Sequence, residues 1–167
     1  MKTETVTIDK TALSSLNLVL PVLAFIIPFF VSGPQILTGS LVNCFLFLSA
    51  AYSSKRTSSA VIFLPSIAAL LNGLVFGKFT PFLAYFLPFI WIGNFILIST
   101  YKKNPTFVGM ILSALLKSLF LFIFAFVFFK LSIVPQIFLT AMGLFQFFTA
   151  IFGGILFLGI NKLIKNH

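Results

Sequence analysis

The sequence predicts an all-α integral membrane protein, a bundle of six transmembrane helices with both termini in the cytoplasm. Three observations carry this prediction: the scarcity of charge, the length of the uncharged apolar runs, and the alternation of basic residues between successive connections. Of the 167 residues, 60% are hydrophobic and only 8% are charged, whereas a soluble domain carries about a quarter charged residues. The chain therefore lacks the polar surface that a water-soluble fold requires.

The uncharged runs are long enough to cross a bilayer. No formal charge occurs in the 44 residues between Lys10 and Lys55 or in the 31 residues between Lys130 and Lys162, and one span needs about 20 apolar residues. Because the connections are short, successive spans must run antiparallel. Glycine, proline and lysine divide the single transmembrane domain into six predicted spans, 14–31, 35–52, 59–77, 81–101, 106–129 and 135–160.

The basic residues orient these spans. With the N-terminus in the cytoplasm, the outer connections hold only Lys78 and Lys130. The inner tails and connections hold eight basic residues, Lys2, Lys10, Lys55, Arg56, Lys102, Lys103, Lys162 and Lys165. This is the bias of a multi-pass cell-membrane protein with both ends inside. The net charge of +9 is therefore assigned to topology and to contact with anionic membrane lipids, and no nucleic-acid partner is predicted.

Several chemistries lack their usual residues. The lone cysteine, Cys44, excludes an intrachain disulfide and a cysteine metal cluster. Glu4 and Asp9, in the N-terminal tail, are the only acidic residues, so no carboxylate lies within a span to relay protons or to bind a metal ion. We expect no metal, no cofactor and no ion-driven pump.

Lys117 is the only formally charged residue inside a predicted span. It lies about halfway along the fifth span, too deep to reach the membrane surface easily, and a charge there is costly and often functional. The alternative, which the sequence leaves equally open, is a lysine that is hydrogen-bonded to polar neighbours or deprotonated. If it is charged, its partner is a ligand anion or another subunit, since no acidic side chain is at hand.

Three amides lie at a similar depth on other spans, Asn43, Asn94 and Gln146, roughly 12–20 Å from the outer surface at about 1.5 Å per residue. Polar side chains in lipid face the bundle interior, so these amides and Lys117 are predicted to converge on a binding pocket. The alternative is that each amide joins its own pair of helices. Gln35, Tyr85 and Trp91 are further candidates for the outer half of the pocket, although aromatic residues are equally expected as interface anchors.

No catalytic site is predicted. Ser113 and Lys117 are spaced as a serine–lysine nucleophile pair would be, but this spacing is common by chance and no oxyanion-hole motif accompanies it. Small residues at every fourth position, Ala69, Gly73 and Gly77 on the third span and Ala150 and Gly154 on the sixth, indicate close helix packing. A docking face for a partner membrane protein is the alternative.

Several stretches resemble the substrate-binding S components of energy-coupling factor transporters. They are Gly-Pro-Gln at 33–35, Thr-Gly-Ser-Leu-Val-Asn at 38–43, Leu-Pro-Ser-Ile-Ala-Ala-Leu at 64–70, Pro-Phe-Ile at 88–90 with Asn94, and Gln146, Thr149, Ala150, Gly153 and Gly154. The resemblance is spread over most of the chain, and no single motif is specific.

This resemblance implies capture of a vitamin or similar micronutrient from outside, in a pocket among the later helices that the first outer loop closes. It further implies docking on a transmembrane coupling subunit that carries two cytoplasmic ATPases. An anionic or neutral ligand is expected, because no buried acid is available to pair a cation. Two rival functions stay open: a structural or assembly subunit of a membrane complex, and a small channel formed by a dimer.

Overall fold

The protein is all-helical. The computed structural model describes residues 10–31 and 33–165, with side chains for 14–31 and 33–164, and these residues contain no strand. Lys2, Glu4 and Asp9, to which the predicted topology and chemistry refer, lie outside the described residues. The helices are α1 (Lys10–Phe30), α2 (Gln35–Tyr52), α3 (Lys55–Asn72), a 3₁₀ helix (Gly77–Phe82), α4 (Leu83–Lys103), α5 (Phe107–Lys130), α6 (Ile137–Met142) and α7 (Leu144–Lys165).

Four stretches of the described chain are long and apolar enough to cross a membrane, which is compatible with a membrane protein. The four stretches are Gln35–Tyr52, Gly77–Lys103, Phe107–Lys130 and Ile137–Ile164. The apolar part of α1 within the described side chains, Ser14–Phe30, is shorter. Helix α3 is not among the four, and it begins with two basic residues and three hydroxyl residues, KRTSS.

The surface of α5 agrees with a lipid environment. Its buried residues recur every three or four positions and are mostly small or polar, whereas large apolar side chains such as Leu112, Leu115, Leu119 and Ile123 are exposed on the other faces. Soluble proteins rarely expose apolar patches of more than a few hundred Å². The polar and small stripe therefore faces inward, and Lys117 lies on it.

Contacts between helix ends show that α1 and α3 run parallel to each other, so that α2, which connects them, runs antiparallel to both. At one end of the bundle, the Asn72 Nδ2 group donates to the Phe29 carbonyl at 2.7 Å, joining the last residues of α3 and α1. At the other end, the Ser54 backbone N–H donates to Asn17 Oδ1 at 3.0 Å. We call the first the Pro34 end, after the α1–α2 connection, and the second the Lys55 end, after the start of α3.

The third helix ends earlier than the predicted span 59–77. It begins at Lys55 and stops at Asn72 because Gly73 adopts a left-handed conformation with φ of +75°, which favours glycine and terminates helices. Gly77 also has positive φ, +53°, and opens the 3₁₀ helix. The predicted stripe of Ala69, Gly73 and Gly77 on one helix face is therefore wrong, since only Ala69 lies within α3.

The predicted span 135–160 is divided into two helices. The break falls at Gly143, where a side chain would meet the Phe122 ring at 2.8 Å and the Leu139 carbonyl oxygen at 2.8 Å. Glycine thus allows the chain to approach α5 closely while it turns from α6 into α7.

Two buried clusters occupy different parts of the bundle. The aromatic cluster of Phe47, Tyr101 and Phe157 joins α2, α4 and α7 towards the Lys55 end, with ring centroids 5.1 to 5.8 Å apart. A second cluster, with Phe86 and Phe138 stacked at 5.1 Å, joins α4 to α6 nearer the Pro34 end. The space between these clusters is where the candidate site lies.

Candidate binding cavity

A cavity opens between α2, α4, α5 and α7 and extends towards the Pro34 end. Its volume is about 100 Å³, whereas typical ligand pockets have about 300–1,000 Å³. The lining residues are Pro28, Gln35, Thr38, Gly39, Val42, Asn43, Pro65, Ser66, Ala69, Val75, Phe76, Leu83, Ile90, Asn94, Lys117, Met142, Gln146 and Thr149.

Lys117 lies at the inner end of this cavity and is only 2% exposed. Its Nζ group donates to Asn43 Oδ1 at 2.7 Å. Lys117 thus has a polar neighbour, as one of the two alternatives predicted. It also lines the cavity, where a ligand could reach it.

Asn43 connects three helices. Its Nδ2 group donates to the Gly39 carbonyl at 2.9 Å and to Thr149 Oγ1 at 3.2 Å, and its Oδ1 accepts from Lys117. The amide orientation is fixed from both sides, because a reversed amide would place its oxygen against the Gly39 carbonyl. Asn43 therefore holds α2, α5 and α7 in one arrangement around the cavity.

Glycines make this arrangement sterically possible. A side chain at Gly153 would come within 2.5 Å of the Ser40 carbonyl oxygen and 2.7 Å of Asn43 Cβ, and one at Gly39 within 2.9 Å of the Thr149 methyl group. Helices α2 and α7 therefore approach each other closely just where Asn43 and Thr149 meet.

Asn94 presents an unpaired oxygen. The residue is 1% exposed, its Nδ2 group donates to the Ile62 carbonyl at 3.0 Å, and within the described part of the chain its Oδ1 has no hydrogen-bond partner. Buried polar atoms are paired in the great majority of cases. The unpaired Oδ1 is therefore a feature that a ligand or a water molecule would satisfy.

Gln35 and Gln146 also line the cavity. Gln35 is the first residue of α2, at the Pro34 end, and Gln146 lies one turn before Thr149 on α7. Both side chains are partly exposed. Between Lys117 and the Pro34 end, they add amide groups that can donate or accept hydrogen bonds.

The two aromatic candidates do not line the cavity. Trp91 donates from Nε1 to Ser66 Oγ at 2.9 Å and packs edge-on against Phe63, so it supports the wall through Ser66. Tyr85 is 55% exposed on α4 and packs near Phe82. Of the seven predicted site residues, the structure brings together Lys117, Asn43, Asn94, Gln146 and Gln35.

Two polar lining residues that the prediction did not include follow helical spacing from residues that it did include. Thr38 lies three residues after Gln35, and Thr149 lies three residues after Gln146, so each pair shares a helix face. Ser66 had no such signal, because no candidate had been assigned to α3.

The cavity combines apolar walls with a small number of polar groups. The described residues contain no group of three or more histidine, cysteine or acidic side chains that could hold a metal ion. Ser113, the predicted neighbour of Lys117, donates its hydroxyl to the Met110 carbonyl at 2.8 Å. The polar side chains of the cavity, above all Lys117 and Asn94, can therefore recognise a ligand by hydrogen bonding.

Comparisons of the chain with protein-family models, curated proteins and solved structures found no match.

Proposed function

We propose that the protein is the substrate-capturing subunit of a micronutrient uptake transporter, a multi-pass protein of the cell membrane that a separate ATPase module energises. The observation that carries this proposal is the cavity at Lys117, apolar in its walls and furnished with polar groups that the protein itself does not saturate. A vitamin-like molecule, neutral or anionic, is the expected substrate class.

The distribution of charge supports an outward-facing cavity. Among the described residues, five basic side chains lie at the Lys55 end, Lys55, Arg56, Lys102, Lys103 and Lys162, while Lys78 and Lys130 lie at the Pro34 end. Positive charge favours the cytoplasmic side. The cavity extends towards the opposite end, where an extracellular substrate would enter.

The composition supports an external energy source. The sequence has no phosphate-binding glycine loop, and its only acids, Glu4 and Asp9, precede the first predicted span. Proton- and cation-coupled transporters use carboxylates within the membrane. The resemblance to S components of energy-coupling factor transporters offers the corresponding partner, a transmembrane coupling subunit with cytoplasmic ATPases.

A structural or assembly subunit is the second candidate, and one observation favours it. Asn43 joins three helices and Asn94 bonds the α3 backbone, which is what interhelical amides do in membrane proteins without ligands. That function explains neither the cavity nor the unpaired Asn94 oxygen, so we place it second.

Native mass spectrometry of the protein released from lipid nanodiscs tests the proposal. We expect the wild type to retain a small molecule and Lys117→Met to lose it, since methionine keeps most of the unbranched side chain but removes the terminal hydrogen-bonding group. Lys130→Met, on the same helix but exposed, is the matched control and should retain the ligand. A ligand that survives Lys117→Met, or a wild type purified from its native cells that carries none, would contradict the proposal.

A further inference from the structure

The polar groups left unsatisfied at the inner end of the cavity define what a ligand must present there. Lys117 uses one N–H on Asn43, and an amine in either protonation state has at least one more. Asn94 Oδ1 is a buried acceptor without a partner in the described chain. One spare donor and one spare acceptor therefore face the same space.

Lys117 and Asn94 line the same cavity, and α4 contacts the side chain of Lys117 there. Gly93, directly before Asn94, packs against the side chain of Lys117, where a Cβ would lie 3.5 Å from Lys117 Cγ. The lysine stem thus runs alongside α4 at the level of Asn94. A single compact group on a ligand can contact both residues.

The orientation of the Asn94 amide is fixed by its surroundings. Its Nδ2 group donates to the Ile62 carbonyl at 3.0 Å, and reversing the amide would set two oxygens against each other. The group that Asn94 offers to the cavity is therefore an acceptor.

The other polar side chains at this level are already paired. Asn43 uses both amide hydrogens and its oxygen. Ser66 donates to the Phe63 carbonyl and accepts from Trp91, and Thr149 donates to the Gln146 carbonyl and accepts from Asn43. Among the polar side chains that the structure describes at this level, Lys117 and Asn94 therefore set the demand on the innermost part of a ligand.

We propose that the buried end of the substrate is a neutral carbonyl beside an N–H, as in a lactam, a cyclic urea or an imide. The carbonyl accepts from Lys117 and the N–H donates to Asn94 Oδ1. This inference rests on the proposed function and narrows its substrate class. The hydrocarbon part of such a ring contacts the apolar walls.

Charged end groups satisfy only part of this demand. A carboxylate is an acceptor only, so it would serve Lys117 but leave the Asn94 oxygen unpaired and facing negative charge. An ammonium would serve Asn94 but would be buried without a counter-charge, which is costly, because the sequence places its acids only at Glu4 and Asp9.

The test uses four small probes on ligand-free wild-type protein in nanodiscs, with dissociation constants measured by ligand-observed NMR. The probes are δ-valerolactam, its N-methyl derivative, the isomer methylated on the ring carbon beside the nitrogen, and valerate. The two methylated lactams are equal in size, and only the second keeps the N–H. We expect the carbon-methylated isomer to bind at least about tenfold more tightly than the N-methyl isomer, since the latter leaves a buried acceptor unpaired.

The same comparison in Asn94→Ala assigns the effect to the residue. In this variant the two methylated lactams should bind about equally. If the variant does not fold, the comparison in the wild type still tests the inference. Equal binding of the two isomers by the wild type, tighter binding of valerate than of δ-valerolactam, or no binding of any probe overturns the inference. Equal binding is also the result expected if a water molecule satisfies Asn94.

The two proposals fail differently. If a co-purified molecule is lost in Lys117→Met but the probes show no preference for an N–H, only the assignment of the end group is wrong. If no small molecule depends on Lys117, the capture function itself fails.

Discussion

The two ends of the bundle differ in how closely their interiors are packed. Towards the Lys55 end, Phe47, Tyr101 and Phe157 pack with centroid distances of 5.1 to 5.8 Å and close the interior. Towards the Pro34 end the same helices part around a cavity that holds a buried lysine and an unpaired amide oxygen. The difference indicates that close packing stabilises the half at the Lys55 end, whereas the other half gives up some of this stabilisation for a cavity, as expected if the proposed binding function is correct.

The closed half should be the more sensitive to loss of volume. Phe157→Ala removes a side chain that is 1% exposed and stacks on two partners, and we expect it to lower the free energy of unfolding by about 3 kcal/mol or more. Unfolding in mixtures of mild detergent and dodecyl sulfate measures the change. Phe148→Ala, on the same helix but 46% exposed, should have a small effect, and equal losses would contradict the contrast between the halves.

The junction between the halves should resist added volume. Gly153→Ala places a methyl group within 2.7 Å of the Cys44 backbone nitrogen as well as the Ser40 carbonyl, and backbone cannot move aside easily. We expect a loss of about 1–3 kcal/mol, measured by the same unfolding assay, together with weaker ligand binding as α2 moves away from α7. Gly159→Ala meets nothing within 4 Å and is the matched control; if it is as damaging as Gly153→Ala, close approach is not the cause.

The open half should tolerate loss of its central polar group. Lys117→Met removes a costly buried amine but leaves Asn43 Oδ1 without its donor, and the two effects nearly cancel. We expect the free energy of unfolding to change by less than about 1 kcal/mol. A loss as large as that of Phe157→Ala would show that Lys117 is a structural residue, and the contrast between the halves would not hold.

The helical class and most of the cavity were accessible from the sequence, for physical reasons that particular residues illustrate. Lys117 could be placed on an inward face because exposing its amine to lipid is costly. Asn43 and Asn94 could be placed there because their amides need hydrogen-bond partners. Helix α2 has the bounds of the predicted span 35–52, since Pro34 and Ser53 flank an uncharged and largely apolar run.

Other features depend on tertiary contacts that no local pattern encodes. The break at Gly143 is set by the proximity of Phe122, and the early end of α3 by the conformation of Gly73. The Trp91 ring lies behind the cavity wall because it donates a hydrogen bond to Ser66 on another helix. The unpaired oxygen of Asn94 could be found only once its amide nitrogen had been paired with Ile62.

Because Asn43 joins three helices around the cavity, a ligand bound in the cavity should change the stability of the whole bundle. A molecule that binds Lys117 also acts on α2 and α7 through Asn43, and any ligand of the folded state alone raises the unfolding temperature with concentration. A thermal-shift screen of metabolite extracts is therefore a way to search for a ligand of this cavity that requires neither a partner protein nor a transport assay.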